Sequence, residues 1–280
     1  MEYKFEISGF SDEIDNNIDK QFSALNKLGI DFFEVRGVNG KNISVLDDSE
    51  LETLKQKMSE YKIKVSSIGS PIGKIKITDD FEPHFEDFKR IVHIAKYLGT
   101  KNIRIFSFFC PKNEEPEKYR NEVFSRLNKM CKYAEEYDVI LLHENEKDIY
   151  GDIASRCKEI FDNIKSPNFK AVFDAANFIQ SGEKNIPEVF DLLENNVVYI
   201  HIKDSDSEGN IVPAGCGNGN FEYIIDRLKS KGYQGFLSLE PHLGSFNGLE
   251  DLELDDKMTK LEKSDISKFK LAYESLKKLL

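Results

Sequence analysis

Short apolar segments alternate with longer segments of helical periodicity along the whole chain, and this alternation restricts the fold more than any other feature. Residues 3–10 form the first strand-like segment, and Ile14, Ile18 and Phe22 follow at steps of four, as on one face of a helix. Further strands are predicted at 31–37, 63–71, 102–109, 139–145, 169–177, 197–204 and 235–241, with helices near 49–61, 80–98, 116–137, 153–163, 186–194, 221–231 and 264–279. Eight such units in 280 residues favour a single closed (β/α)8 barrel over an open doubly wound sheet.

No Pro-, Ser- or Gly-rich linker divides the chain, so we predict one domain over residues 1–280. No apolar run approaches the roughly 18 residues that a membrane span requires, and the first ten residues lack the basic and apolar regions of a signal peptide. We therefore expect a cytoplasmic protein without a membrane partner. The four cysteines form no CxxC pair, and we interpret them as reduced thiols.

Polar residues follow four neighbouring predicted strands at the point where each apolar run stops. Strands five to eight end in His143-Glu144-Asn145, Asp174-Ala175-Ala176-Asn177, His201-Ile202-Lys203-Asp204 and Glu240-Pro241-His242. In (β/α)8 barrels the chemistry lies at these carboxyl ends. A single acidic residue there is more often a helix cap or a surface ion-pair partner, but four neighbouring strands with such residues favour a shared site.

Three carboxylates and one imidazole, from Glu144, Asp174, His201 and Glu240, form an oxygen-rich set of ligands. Such a set suits one divalent metal ion, with Mn²⁺, Mg²⁺, Co²⁺, Zn²⁺ and Fe²⁺ all open as its identity. Packing alone would favour Leu or Val at these positions, because an unpaired buried carboxylate is costly.

These strand ends and several other segments resemble the xylose isomerase-like TIM-barrel superfamily of sugar and sugar-phosphate isomerases and epimerases. The segments, in chain order, are GFSDEI, VRGVNGKNI, SIGSPIGKI, RIFSFF, HENEKDIYGD, FDAANF, YIHIKD, PAGCGNG and LSLEPHL. In epimerase-like members, a Glu, an Asp, a His and a Glu from strands five to eight hold one divalent metal ion. The matching positions are Glu144, Asp174, His201 and Glu240.

The resemblance implies an isomerase or epimerase of a sugar, sugar phosphate or related polyol. Its reaction would be proton transfer through a metal-stabilised enediolate, with Glu144 and Glu240 as the acid/base pair. Two positions depart from the ketose 3-epimerases. Asn177 replaces a histidine, and Lys203 with the Gly-rich segment 213–219 follows His201 where those enzymes carry an arginine. The resemblance therefore covers the metal ligands better than the substrate-binding residues.

Arg36, Lys74 and Arg104 lie at or just past the ends of strands two to four and are candidates for binding a phosphate or carboxylate of the substrate. The amides of residues 213–219 could add an anion-binding nest. For Arg36 the alternative is an ion pair with a neighbouring carboxylate such as Glu34. The remaining substrate-binding candidates are Asn145, Asn177, Lys203 and His242; Lys203 could instead pair with Asp204, and His242 could orient Glu240.

Two other functions remain as alternatives. One is a polyol dehydratase or a non-catalytic sugar-binding member of the same fold. The other, less favoured, is an endonuclease IV-like phosphodiesterase, which needs a His-rich trinuclear metal cluster and a basic surface. The chain has five histidines and a net charge of -11, so nucleic acid is not an expected partner. We expect a small carbohydrate substrate, with homodimer and homotetramer both open, and interpret residues 241–263 as a lid or dimer contact.

Overall fold

In the computed structural model, which describes residues 2–247, 249 and 261–280, eight parallel strands form a nearly closed barrel with helices between them. This confirms the predicted single (β/α)8 barrel. The strands are β1 Lys4–Gly9, β2 Phe32–Val35, β3 Lys64–Ile68, β4 Asn102–Ile105, β5 Ile140–Glu144, β6 Phe169–Asp174, β7 Val197–Ile202 and β8 Gln234–Leu239. Strand β8 pairs in parallel with both β7 and β1, which brings the end of the barrel sheet back to its beginning.

Except for one short helix that was not predicted, Ala175–Gln180, the helices that cover the barrel begin and end close to the predicted positions. They are α1 Ile18–Leu28, α2 Asp48–Tyr61, α3 Phe81–Leu98, α4 Arg120–Glu136, α5 Ala154–Asn163, α6 Ala175–Gln180, α7 Ile186–Leu193, α8 Phe221–Ser230 and α9 Ile266–Leu279. Helix α2 begins with a capping box, in which the Asp47 side chain accepts from the Glu50 amide and the Glu50 side chain accepts from the Asp47 amide. None of the described helices is long and apolar enough to cross a membrane.

One predicted boundary is wrong at the position that matters most for the site. The sixth strand was expected to reach Asn177, but it ends at Asp174 and helix α6 starts at Ala175. The cause is Asp174 itself, whose Oδ1 accepts a hydrogen bond from the Asn177 amide at 2.8 Å and so caps the helix. The other carboxylate oxygen of Asp174 is left to face the barrel mouth.

The barrel interior is more polar than the apolar strands suggested. The Ser66 hydroxyl of β3 lies 2.9 Å from the Tyr199 hydroxyl of β7, although these strands are not neighbours in the sheet. On the same side, Ser238 of β8 donates a hydrogen bond to Glu34 of β2 at 2.8 Å. These contacts cross the interior and form a buried polar layer below the strand ends.

Two short antiparallel hairpins extend the loops at the mouth. The first pairs Gly37–Val38 with Lys41–Asn42 after β2, and the second pairs Asp204–Ser205 with Ile211–Val212 after β7. Most of the predicted lid or dimer contact cannot be compared with the structure, because residues 248 and 250–260 lie outside the described part of the chain.

Candidate active site

The four predicted ligands lie together at the carboxyl ends of β5 to β8. One ligand atom each of Glu144, Asp174, His201 and Glu240 falls within 4.8 Å of the others, and all four side chains are buried. The imidazole is central to this four-residue cluster. His201 Nδ1 lies 2.8 Å from Glu144 Oε1, 3.1 Å from Glu240 Oε2 and 3.9 Å from Asp174 Oδ2.

The chemistry of this cluster fits a metal ion. One oxygen of each carboxylate, Glu144 Oε2, Asp174 Oδ2 and Glu240 Oε2, accepts no hydrogen bond from the residues that the structure describes. Each of these oxygens lies instead within 3.3 Å of a cationic side chain, so all three already attract positive charge. Oxygen and nitrogen atoms converging at this spacing are the donor set that divalent cations such as Mn²⁺ and Zn²⁺ take in proteins.

Glu34 is a part of the site that the sequence analysis did not find. Its Oε2 lies 3.2 Å from His201 Nε2, on the side of the ring opposite the cluster, and accepts the hydrogen bond from Ser238. Both side chains of this pair are fully buried. A carboxylate that accepts the second ring N–H fixes the orientation and tautomer of a metal-binding histidine. The only signal in the sequence was one acidic residue inside the apolar run of the second strand.

The ionisation of the cluster follows from its neighbours. Burial would lower the pKa of His201, but the charges of Glu144, Glu34 and Glu240 outweigh burial and raise that pKa well above its ordinary value. Burial would raise the pKa of Glu240, yet Lys203, His201 and His242 hold it well below its usual range. Without a metal ion, His201 is therefore protonated and donates to the carboxylates around it.

Asp174 behaves differently from the two glutamates. Burial raises the pKa of its carboxyl to about 7, with Lys203 acting in the opposite direction. The Lys203 ammonium lies 3.1 Å from Asp174 Oδ2 and 3.6 Å from Glu240 Oε2. The sequence left Asp204 open as a partner of Lys203; the Asp204 carboxylate accepts hydrogen bonds from backbone amides.

Asn145 and Asn177 hold the ends of β5 and β6 together. The Asn145 amide group donates to the Asp174 carbonyl at 2.9 Å and its oxygen accepts from the Asp174 amide at 3.1 Å. Asn177 Nδ2 donates to the Asn145 carbonyl at 2.9 Å and lies 3.4 Å from Glu144 Oε1. Both asparagines border the cluster as expected, and their described contacts position its carboxylates.

Arg104 reaches the cluster from β4. Its Nη1 lies 3.3 Å from Glu144 Oε2 and 4.0 Å from Glu240 Oε1, between the two glutamates. The side chain is buried, and its guanidinium carbon lies 5.1 Å from the centre of the Phe10 ring and 5.0 Å from that of Phe106. Of the three predicted cations, Arg104 is the one directed at both glutamates.

Arg36 belongs to a buried ion-pair network. Its guanidinium binds Asp12 at 2.8 and 3.1 Å, Glu13 at 3.2 Å and Glu240 at 3.4 Å. The alternative of an ion pair was therefore correct, but the partner is not Glu34. Asp12 and Glu13 follow β1 directly, in the quoted segment GFSDEI, and their strand-end position was the signal that could have identified them.

His242 joins the same network from the loop after β8. Its Nε2 lies 3.3 Å from Glu240 Oε1 and 3.5 Å from Glu13 Oε1, and its backbone amide donates to Glu13 Oε2 at 2.8 Å. Burial lowers the pKa of His242, but Glu13 and Glu240 outweigh burial and raise that pKa to about 9. These contacts match the expectation that His242 orients Glu240.

Lys74 does not face the substrate site as an unpaired cation. Its ammonium lies 3.0 Å from Glu146 Oε2, and the amide of Lys147 donates to the other oxygen of Glu146 at 2.9 Å. Beside this pair, a cleft of about 450 Å³ opens next to Arg36. The residues lining it are Asp12, Asn16, Arg36, Gly37, Gly40, Lys41, Asn42, Ser44, Pro71, Lys74 and Asn247.

The predicted anion nest at residues 213–219 is wrong as a substrate site, because a side chain of the protein already fills it. The Asp204 carboxylate accepts hydrogen bonds from the amides of Gly215 at 2.9 Å, Gly217 at 3.0 Å and Gly219 at 2.8 Å. A fourth bond comes from the amide of Ser205 at 2.8 Å. Asp204 therefore fixes the fold of this loop.

His143, next to Glu144 in sequence, lies outside the cluster. Its ring packs 6.0 Å from the ring centres of both Phe161 and Phe169, which places it among aromatic side chains. Burial lowers the pKa of His143 to about 4, so the ring is neutral near pH 7. This supports its interpretation as a packing residue.

The family of the protein follows from a match over most of its length. A family model described as Xylose isomerase-like TIM barrel matches residues 22–260. The chain belongs to this family. Over 124 residues this xylose isomerase-like chain is 28% identical to the uncharacterized protein MJ1311 of Methanocaldococcus jannaschii. That alignment covers 42% of the chain and 42% of the relative, so it spans less than half of the relative's length.

Solved structures share the fold of this xylose isomerase-like barrel across its length. The IolI protein, whose crystal structure contains a bound zinc atom, is 17% identical with a TM-score of 0.75, over 98% of each chain. A D-allulose 3-epimerase from Methylomonas sp. is also 17% identical, with a TM-score of 0.74 over 100% of each chain. At these identities the likeness shows the fold alone.

Proposed function

We propose that the protein is a divalent-metal-dependent isomerase or epimerase of a sugar or related polyol. The observation that carries this proposal is the four-residue cluster, in which Glu144 and Glu240 flank His201 and each keeps an oxygen without a hydrogen bond. The zinc atom in the IolI structure and the activity named for the Methylomonas epimerase support it as likenesses of fold.

Glu144, Asp174, His201 and Glu240 would hold the ion. A divalent ion bound there supplies a Lewis acid that polarises a carbonyl group of the substrate. The residues of the chain then carry the proton transfer. Glu144 and Glu240 come from strands β5 and β8, on either side of β6 and β7, so they approach a bound substrate from different directions.

One glutamate removes the proton from the carbon next to the carbonyl, and the C–H electron pair becomes the double bond of an enediolate. The second glutamate, on the other face, returns a proton. Return to the same carbon inverts its configuration, and return to the former carbonyl carbon exchanges aldose for ketose. Neighbouring charges leave the pKa of Glu144 and Glu240 below their ordinary values despite burial, so both are ionised in the resting site and either can act as base. The glutamate that returns the proton first takes one up from solvent or from a substrate hydroxyl.

Arg104 and Lys203 stabilise the charge that develops during this transfer. Both side chains are buried next to the acid/base glutamates, and fixed cations act strongly where water is excluded. The four-residue cluster contains a single histidine, which favours this chemistry over the His-rich trinuclear site of an endonuclease IV-like phosphodiesterase.

The test is solvent-deuterium exchange into a panel of ketoses and aldoses by the protein loaded with Mn²⁺, Co²⁺ or Zn²⁺. Incorporation at one carbon is expected, and Glu144→Gln and Glu240→Gln should each lower its rate by about 10²-fold or more, as for loss of a general acid or base. Full activity of both variants would contradict the proposal. Loss of water from a substrate would favour the dehydratase alternative instead.

A further inference from the structure

Two of the places where the sequence suggested binding of a substrate phosphate or carboxylate are occupied by carboxylates of the protein. The amides at Gly215, Gly217 and Gly219 bind Asp204. Among the described residues that line the cleft, each of the three cations also has a carboxylate partner. The ion pairs are Arg36 with Asp12, Lys41 with Glu50 at 2.6 Å and Lys74 with Glu146 at 3.0 Å. The cleft therefore has groups that can bind sugar hydroxyls, but its three cations are already neutralised and leave no positive charge for a phosphate dianion.

Arg104 differs from the cations of the cleft, because its guanidinium N–H groups make few close hydrogen bonds. It is 2% exposed, and its Nε has no hydrogen-bond partner among the residues that the structure describes. Its Nη2 reaches the Ser70 carbonyl only at 3.5 Å, and its Nη1 makes the ion pair with Glu144 at 3.3 Å. A buried guanidinium cannot lose its proton, so unfilled donors leave a full charge incompletely compensated.

The partners that Arg104 does have are ligands of the proposed metal centre. Any cation held by Glu144 and Glu240 competes with Arg104 for the negative charge of the same two carboxylates. The N–H donors of Arg104 that face these carboxylates are then available to a ligand. A planar carboxylate matches the fork of a guanidinium with two parallel hydrogen bonds.

The geometry points to a substrate that is a sugar acid, with a carboxylate bound by Arg104 next to the carbon that reacts. This inference rests on the proposed function of the same cluster and names its substrate class. The position beside Glu144 places the anion close to the reacting carbon. A phosphate ester at the far end of the sugar would lie in the cleft, where the described cations are already paired.

The test compares D-fructose with two ligands that each differ from it at one carbon. 2-Keto-D-gluconate is D-fructose with C1 oxidised to a carboxylate, and D-fructose 6-phosphate carries its anion at the opposite end. Calorimetric binding to the Mn²⁺-loaded protein is expected to show 2-keto-D-gluconate bound about tenfold or more tightly than both other ligands, as for a charge-assisted bidentate pair. Equal affinities, or tightest binding of D-fructose 6-phosphate, would overturn the inference.

Substitutions of Arg104 test whether this residue causes the preference for 2-keto-D-gluconate. Arg104→Gln should remove the preference for 2-keto-D-gluconate, and Arg104→Lys, which keeps the charge but not the fork, should retain part of it. Arg126→Gln is the matched control, because Arg126 is a second buried arginine that pairs with Glu122 on α4, outside the cluster. A preference that persists in Arg104→Gln would exclude Arg104 as its origin. If Arg104→Gln does not fold, the Lys variant and the comparison of ligands on the native chain still decide.

The failure of this inference is separable from failure of the proposed function. Deuterium exchange into neutral ketoses, without preferential binding of the carboxylate, would leave an epimerase or isomerase with a different substrate class. Tight, Arg104-dependent binding without exchange into any ligand would leave a site for sugar acids that performs another reaction.

Discussion

Replacing Glu34 by glutamine is expected to weaken metal binding at the four-residue cluster, although Glu34 does not lie among the ligands. Its carboxylate is 3.2 Å from His201 Nε2, while His201 Nδ1 faces the three acidic ligands. The substitution keeps the shape of the side chain and removes its charge. His201 Nε2 then loses its charged acceptor, and the neutral amide oxygen that remains accepts more weakly and strengthens the ring less as a ligand.

The size of the effect follows from this hydrogen bond. A hydrogen bond to a charged, buried group contributes about 1.5–3 kcal/mol, which corresponds to roughly 10–100-fold in an equilibrium constant. Substitution of residues that support metal ligands costs metal affinity in the same range, about 10–100-fold. We therefore expect Glu34→Gln to raise the Kd for Mn²⁺ or Zn²⁺ by at least about tenfold.

The assay is competition of the protein with a chromogenic chelator at fixed pH and ionic strength. Ser238→Ala is the matched control, because Ser238 donates to the same oxygen of Glu34 at 2.8 Å but leaves the carboxylate in place. The control should change the Kd much less than Glu34→Gln does. A folded Glu34→Gln protein that binds both ions within about twofold of the native chain would refute the role assigned to Glu34.

Three further predictions concern other parts of the site. Glu146→Gln should lower turnover far less than Glu144→Gln, because Glu146 pairs with Lys74 outside the four-residue cluster; equal losses in steady-state assays would contradict this. Metal binding near pH 7 should release about one proton or more and tighten as pH rises, since the raised pKa of His201 keeps it protonated until an ion displaces the proton. Calorimetry in two buffers of different ionisation enthalpy measures this release, and no buffer dependence would count against it. Asp204→Ala should lower the free energy of unfolding by about 2–4 kcal/mol, because four backbone amides lose their acceptor, without changing the metal Kd. Chemical denaturation measures the first effect, and an unchanged stability would show that water replaces the carboxylate.

The barrel was predictable because its signals are local and repeated. Each unit carries its own apolar periodicity, and eight repetitions leave few other ways to bury the strands. The third, fourth and sixth strands end earlier than predicted, at Ile68, Ile105 and Asp174, and for the sixth strand a single side chain decides the boundary. The sixth strand appeared to continue through residues 175–177, because these residues are compatible with either structure, until the Asp174 cap ended it.

The four ligand candidates were also accessible from sequence, because the barrel brings the ends of parallel strands to one rim. Position on the rim, however, does not reveal what a charged side chain binds. Arg36 and Lys74, which follow strands two and three, bind carboxylates of distant loops, whereas Arg104 lies within β4 and reaches Glu144. Asp12 and Glu146, which determine this outcome, are separated from their partners by 24 and 72 residues.

The same reasoning explains why Glu34 was missed and why it matters for function. Within β2, Glu34 looks like an acidic residue two positions before an arginine, and the nearest opposite charge is the obvious partner. The barrel instead turns Glu34 toward the interior, where β7 supplies His201 and β8 supplies Ser238. A buried carboxylate there must have such partners to be tolerated. The free-energy cost of burying Glu34 is offset because His201 carries a proton or a metal ion. The buried polar layer and the metal site therefore stabilise each other.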